Sequence, residues 1–97
     1  MAKGYWIAHV TVADREGWQR YIDAARPAFE AHGAAFLARG GAFEEAENAM
    51  GRERHVLIEF PSFTAAQACY HSDAYQAAKS HREGAGIATV ILTEGAA

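Results

Sequence analysis

Cysteine is nearly absent from this chain. Cys69 is the single one, which excludes an internal disulfide and fits a reducing compartment such as the cytoplasm. No apolar run approaches the roughly 20 residues of a membrane-spanning helix. The first residues, Met1-Ala2-Lys3-Gly4-Tyr5, lack the apolar stretch of a signal peptide. Neither sign of charge dominates. A net charge of −3 leaves no basic footprint for nucleic acid and no polybasic anchor for a membrane. The five histidines never recur at His-x-His or His-x-x-x-His spacing, so no metal site is expected. Gly40-Gly41 has no lysine behind it and cannot be a phosphate loop. No serine elbow occurs.

What remains is a chain of 97 residues, 51% of them hydrophobic, enough for one domain with one core over residues 1–97. Tyr5 to Val12 is rich in aromatic and β-branched residues and reads as a strand. Asp14 caps a helix. On it Trp18, Tyr21, Ile22, Ala25, Phe29 and His32 form one apolar stripe. Pro27 is expected to kink or divide that helix, and Gly33 to end it. A second strand is expected over Ala35 to Phe43. An acidic, glycine-containing loop, Glu44 to Glu53, leads to a third strand, His55 to Phe60. Ser62 caps a short helix over Phe63 to Tyr70. Ser72 or Asp73 caps another running to about Glu83, and Ala88 to Thr93 forms the last strand.

The order β-α-β-β-α-β predicts an α+β fold: a ferredoxin-like sandwich, with a four-stranded antiparallel sheet and helices on one face. Alternation tests it. The even positions Trp6, Ala8, Val10, Val12, Phe36, Ala38, Val56, Ile58, Phe60, Val90 and Leu92 are uniformly apolar and belong under the helices. The odd positions mix Tyr5, Ile7, Leu37, Phe43, Leu57 and Ile91 with His9, Arg39, His55 and Glu59. A face so apolar is a large patch for a monomer to expose. A homodimer closing two such faces together is therefore expected. The alternative is a monomer with a partly solvated sheet.

Four stretches carry a resemblance. They are Lys3-Gly4-Tyr5-Trp6-Ile7-Ala8, Phe36-Leu37-Ala38-Arg39-Gly40-Gly41, Ile58-Glu59-Phe60-Pro61-Ser62, and the run from Tyr70 to Lys79 together with Arg82. In order and over nearly the whole chain they resemble the DUF1330 family, a family of unknown function similar to the dimeric α+β barrel proteins. Two departures occur. Cys69 stands where an aromatic residue usually precedes the tyrosine, and Asp73-Ala74 where Pro-Glu is usual.

Three constellations hold candidate chemistry. Glu59, between Ile58 and Phe60, is costly unless paired or facing a polar cleft. A hairpin pairing residues whose numbers sum to about 98 sets it opposite Arg39, and Phe43 opposite His55. Such an Arg39–Glu59 pair is either a structural tie between strands or a proton acceptor beside an anion-holding guanidinium. His9, on the odd face and near His55 and Glu59 if the first and third strands are neighbours, suggests acid–base work. Tyr75, Lys79 and Arg82 fall at i, i+4 and i+7, with Tyr70 and Ser72 just before them. They are expected at the mouth of the cleft, able to hold a carboxylate; the alternative is a solvated helix face. Cys69 reads as a packing residue. The expected function is binding of a small, anionic organic molecule in a cleft at the dimer's sheet face. His9 and Glu59 would be the candidates for cofactor-independent acid–base chemistry. The alternative is a non-catalytic structural or ligand-binding homodimer.

Overall fold

The computed structural model describes residues 2–96. Strand β1 (Gly4–Val12) leads to helix α1 (Arg15–Ala31), then β2 (Ala35–Arg39), β3 (Arg54–Phe60), α2 (Phe63–His71), α3 (Asp73–Lys79), a 3-10 turn (Ser80–Arg82) and β4 (Gly86–Glu94). All neighbours in the sheet are antiparallel, in the order β2-β3-β1-β4. This is the ferredoxin-like arrangement. The helices lie on one side only, so the molecule is a slab of 37 × 34 × 17 Å with one sheet face uncovered.

Local chemistry sets the element ends. Asp14 accepts from the backbone N–H of Glu16, and Ser62 from that of Ala65, each meeting an orphan donor of a helix start. At the end of α1, Gly33 takes φ +74°. The Ala34 N–H then reaches back to Phe29 O at 3.1 Å, the closing bond of a left-handed cap. Helix α1 runs through Pro27 without division. The carbonyl that proline leaves unpaired belongs to Asp23, which is exposed, so water can satisfy it.

The even face of β1 and β3 is buried as alternation requires. Trp6, Ile58 and Phe60 are at most 3% exposed. Trp6 is the hub: its ring meets Tyr75 edge-on at 4.9 Å and Phe29 at 5.1 Å, and its Nε1–H donates to Ala66 O at 2.8 Å. Each such aromatic pair adds roughly 0.5–1.5 kcal/mol beyond burial.

Strand β2 corrects the expectation. It ends at Arg39, not Phe43, and its pairing shifts between Phe36 and Ala38. Phe36 faces Ile58, but Ala38 faces Leu57 and Arg39 faces Val56. Leu37 is thus the extra residue of a β-bulge. Because strand faces alternate with period 2, one extra residue inverts everything beyond it. Ala38 leaves the helix side and Arg39 joins it, so Arg39 and Glu59 are not partners. Helix α3 also stops early, at Lys79, and passes into the 3-10 turn.

Candidate functional site

On the open face, β1 and β3 set three rungs side by side: Tyr5 with Glu59, Ile7 with Leu57, His9 with His55. The Tyr5 hydroxyl donates to Glu59 Oε2 at 3.0 Å. That bond to the carboxylate, with desolvation and the Glu59 charge, moves the Tyr5 pKa above its ordinary value. Glu59 therefore points away from the helices, as expected, with Tyr5 as its partner and not Arg39 or His9. His9 lies two rungs away, roughly 13 Å along the strand. Its Nδ1 is 2.8 Å from Nδ1 of His55. Burial, then His55, then Arg52 hold its pKa below the usual histidine value. Phe43 lies beyond the end of β2, yet its ring packs on His55 at 4.6 Å between centroids. Ile87 and Ile91 are more than half exposed on the neighbouring edge strand, as is Leu37 on the bulge.

The other side of the sheet holds a cavity of about 310 Å3 between α1 and the strands. The apolar stripe of α1 forms one wall, through Trp18, Tyr21, Ile22 and Phe29; Phe36, Val56, Ile58 and Val90 form another. Its charged lining is Arg26, Arg39, Arg54 and Glu30. The bulge delivers Arg39, whose guanidinium lies 4.0 Å from the Phe36 ring centroid, a cation–π contact. Arg54 lies on the same side through its even position on β3. Among the described residues the single ion pair is Arg26–Asp23 at 3.4 Å, on the exposed side of α1. No histidine or cysteine lines the cavity. Such a lining can hold an apolar body and place an acid group at cationic side chains.

Tyr75, Lys79 and Arg82 do not reach the open sheet face, because α3 and its 3-10 turn pack on the opposite side. Tyr75 is fully buried against Trp6. Its hydroxyl lies 2.7 Å from that of Tyr21. Burial above all pushes the Tyr21 pKa up, and Tyr75 adds to this while Arg82 opposes it. Arg82 lies 5.2 Å from the Tyr21 ring. Burial disfavours its charge, but Tyr75 and then Tyr21 outweigh that and move its pKa upward. Lys79 rests over the Tyr70 ring at 5.6 Å. Ser72 is a cap: its Oγ accepts from the Tyr75 N–H and donates to Cys69 O. Arg82 thus meets Tyr75 as their spacing implied, but on the helix side of the sheet and not at the open face. Among the described residues no three His, Cys, Asp or Glu side chains converge as metal ligands would.

Arg26, Glu30 and Arg54 were not among the residues the sequence singled out. Arg54 had a signal, since it shares its parity with Val56 and Ile58. Arg26 and Glu30 border the stripe of α1 and read as ordinary surface charges.

The model of the family described as "Domain of unknown function (DUF1330)" matches residues 3–96. No curated protein matches the chain. Among solved structures, a protein of unknown function from Rhodopseudomonas palustris is similar with a TM-score of 0.72 at 17% identity, over 99% of this chain and 84% of that one. SnoaB, a cofactor-independent oxygenase from Streptomyces nogalater, gives 0.63 at 7% identity, over 100% and 96%. A dimeric ferredoxin-like protein of unknown function from Thermobifida fusca gives 0.59 at 16% identity, over 95% and 90%. At these identities the likeness is one of fold.

Proposed function

The chain belongs to the DUF1330 family, whose description assigns no activity, and from the geometry of its two sheet faces we propose that it acts as a homodimer binding a small organic acid. The dimer closes through the open sheet face. The ligand sits in the cavity beneath α1, its apolar body against Phe29, Phe36 and Val56 and its carboxylate at Arg39 and Arg54.

The observation that carries the ligand class is the imbalance of charge in the cavity. Arg26, Arg39, Arg54 and Glu30 line it; with the Arg26 guanidinium turned to Asp23, Arg39 and Arg54 stand against one carboxylate, in a chain whose net charge is −3. Support for the dimer is the unscreened Ile7–Leu57–Ile91 stripe on a face whose one carboxylate, Glu59, is already bonded to Tyr5. The Thermobifida fusca neighbour is itself described as dimeric.

The Streptomyces nogalater neighbour is a cofactor-independent oxygenase, and acid–base chemistry on this chain would fall to His9 and Glu59. Their separation from each other and from the cavity favours binding over turnover.

Thermal-shift screening with aromatic and short aliphatic carboxylates is the direct test. A ligand at 100 times its dissociation constant adds about 2.7 kcal/mol of stability. Arg39→Gln and Arg54→Gln should each remove most of that gain, while lowering the stability of the free protein by no more than about 0.5–1 kcal/mol through lost contacts such as Arg39 on Phe36. Absence of any response to any acid would leave a structural homodimer.

A further inference from the structure

The open face carries one device that neither the cavity nor a structural dimer requires. His9 and His55 are directly paired across β1 and β3. Their Nδ1 atoms are 2.8 Å apart and their ring centroids 5.1 Å apart. That is the spacing of two rings whose nitrogens aim head-on at each other. Two metal ligands must instead converge on a third point. The contact is therefore an N–H···N hydrogen bond, which holds one proton between two neutral rings. A first added proton makes one ring a cation that still donates to the other; a second makes two facing cations.

Among the described residues no carboxylate is paired with either ring. On β1 the neighbours on this face are Ile7 and Thr11, and on β4 Thr89 stands opposite His9. On β3 the neighbour is Leu57, and the Glu59 carboxylate beyond it is bonded to Tyr5. From the 40–53 loop come the Phe43 ring against His55 and the Arg52 cation, whose charge acts on His9. The Glu53 carboxylate is turned to the Val12 N–H. Of these charged groups Arg52 is cationic and Glu53 and Glu59 are engaged, while Glu44 and Glu45, which follow Phe43 in the loop, are exposed to solvent.

We propose that the His9–His55 pair makes the homodimer acid-labile, holding the two sheets together while one proton lies between the rings and parting them when both rings are cations. This rests on the dimer reading above. Closure removes the half-buried rings from water, and a buried imidazolium is disfavoured. The sign follows. A histidine whose pKa is lower in the associated state gives stability that is present above its ordinary value, near 6.5, and lost as pH falls through the lowered one. The lowered pKa of His9 in the single chain already points that way. Each proton taken up on dissociation steepens the dissociation constant about tenfold per pH unit, so one per protomer gives roughly 100-fold and two per protomer roughly 10,000-fold.

Sedimentation velocity between pH 8 and 5, with near-UV circular dichroism to follow tertiary structure, tests this. The wild type should be a dimer at pH 8 and dissociate toward pH 5 while still folded. The His9→Gln/His55→Gln variant should lose that pH dependence. A dimer whose dissociation constant stays flat from pH 8 to 5 overturns the switch and leaves the dimer standing. A monomer at pH 8 overturns the dimer reading and the switch with it. If the double variant does not fold, NMR titration of the wild-type imidazoles decides. The pair should become doubly cationic only well below the ordinary histidine value near 6.5, and ordinary titration of both of its rings refutes the inference.

Discussion

Gly4→Ala should destabilise this fold although it adds only one methyl group. Gly4 opens β1 and is held between Phe60 of β3 and Glu94 of β4. A methyl there would overlap the Ser62 carbonyl oxygen and stand 2.6 Å from Phe63 Cα. Both are backbone, so no rotamer change relieves the clash. Overpacking of this kind costs roughly 1–3 kcal/mol. If the start of α2 yields instead, the Ser62 cap on the Ala65 N–H is loosened, at about 1 kcal/mol. The bond from Trp6 Nε1 to Ala66 O is then strained as well, at a further ~1 kcal/mol. Stiffening of the unfolded chain offsets about 0.4–1 kcal/mol. The net loss is therefore about 1–2 kcal/mol, and for a domain of this size Tm should fall by roughly 5–15 °C. Urea unfolding at one fixed protein concentration should show a lower midpoint with an unchanged slope. Gly41→Ala is the control, because nothing lies within 4 Å of its added methyl; it should stay within about 0.5 kcal/mol of wild type. Wild-type stability in Gly4→Ala, or equal damage in Gly41→Ala, would refute the reasoning.

Two further outcomes are expected. Leu57→Asp should give a folded monomer in sedimentation, because Leu57 faces away from the Trp6 core, while an uncompensated charge in a closed interface costs roughly 3 kcal/mol or more; an intact dimer would count against closure through this face. Cys69, fully buried with its thiol raised by burial to about 11, should resist aromatic disulfide reagents at pH 8 and react only on denaturation, so rapid modification of the folded chain would contradict its placement.

The parts of the fold legible in the sequence are those where periodicity runs unbroken. β1, β3 and β4 alternate without interruption, so the helix face and the open face could be told apart residue by residue. The pairing of β1 with β3 then brought His9 toward His55. β2 was not legible, because a bulge has no composition of its own: Phe36-Leu37-Ala38-Arg39 alternates as plausibly without the extra residue as with it. The hairpin register failed for a related reason. Residues 40–53 form a long loop, and a loop of that length fixes pairing far less tightly than a two-residue turn. Tyr75 failed differently. Its spacing to Lys79 matched a solvated amphipathic face, but the large aromatic was the core-facing member and the cations lay along the boundary. The cavity was invisible because it is a property of two elements meeting, not of either alone.

The bulge in β2 has a bearing on solubility. β2 and β4 are the two free edges of the sheet, and an unpaired edge invites strands of other molecules to extend it. β2 is five residues long, irregular at Leu37 and ended by Gly40 at φ +71°, so an incoming strand finds few evenly spaced partners along it. β4 offers nine regular residues with Ile87 and Ile91 on its exposed side. The same one-residue insertion that carries Arg39 to the cavity also blunts one border of the sheet. Unwanted polymerisation of this protein should therefore start at β4.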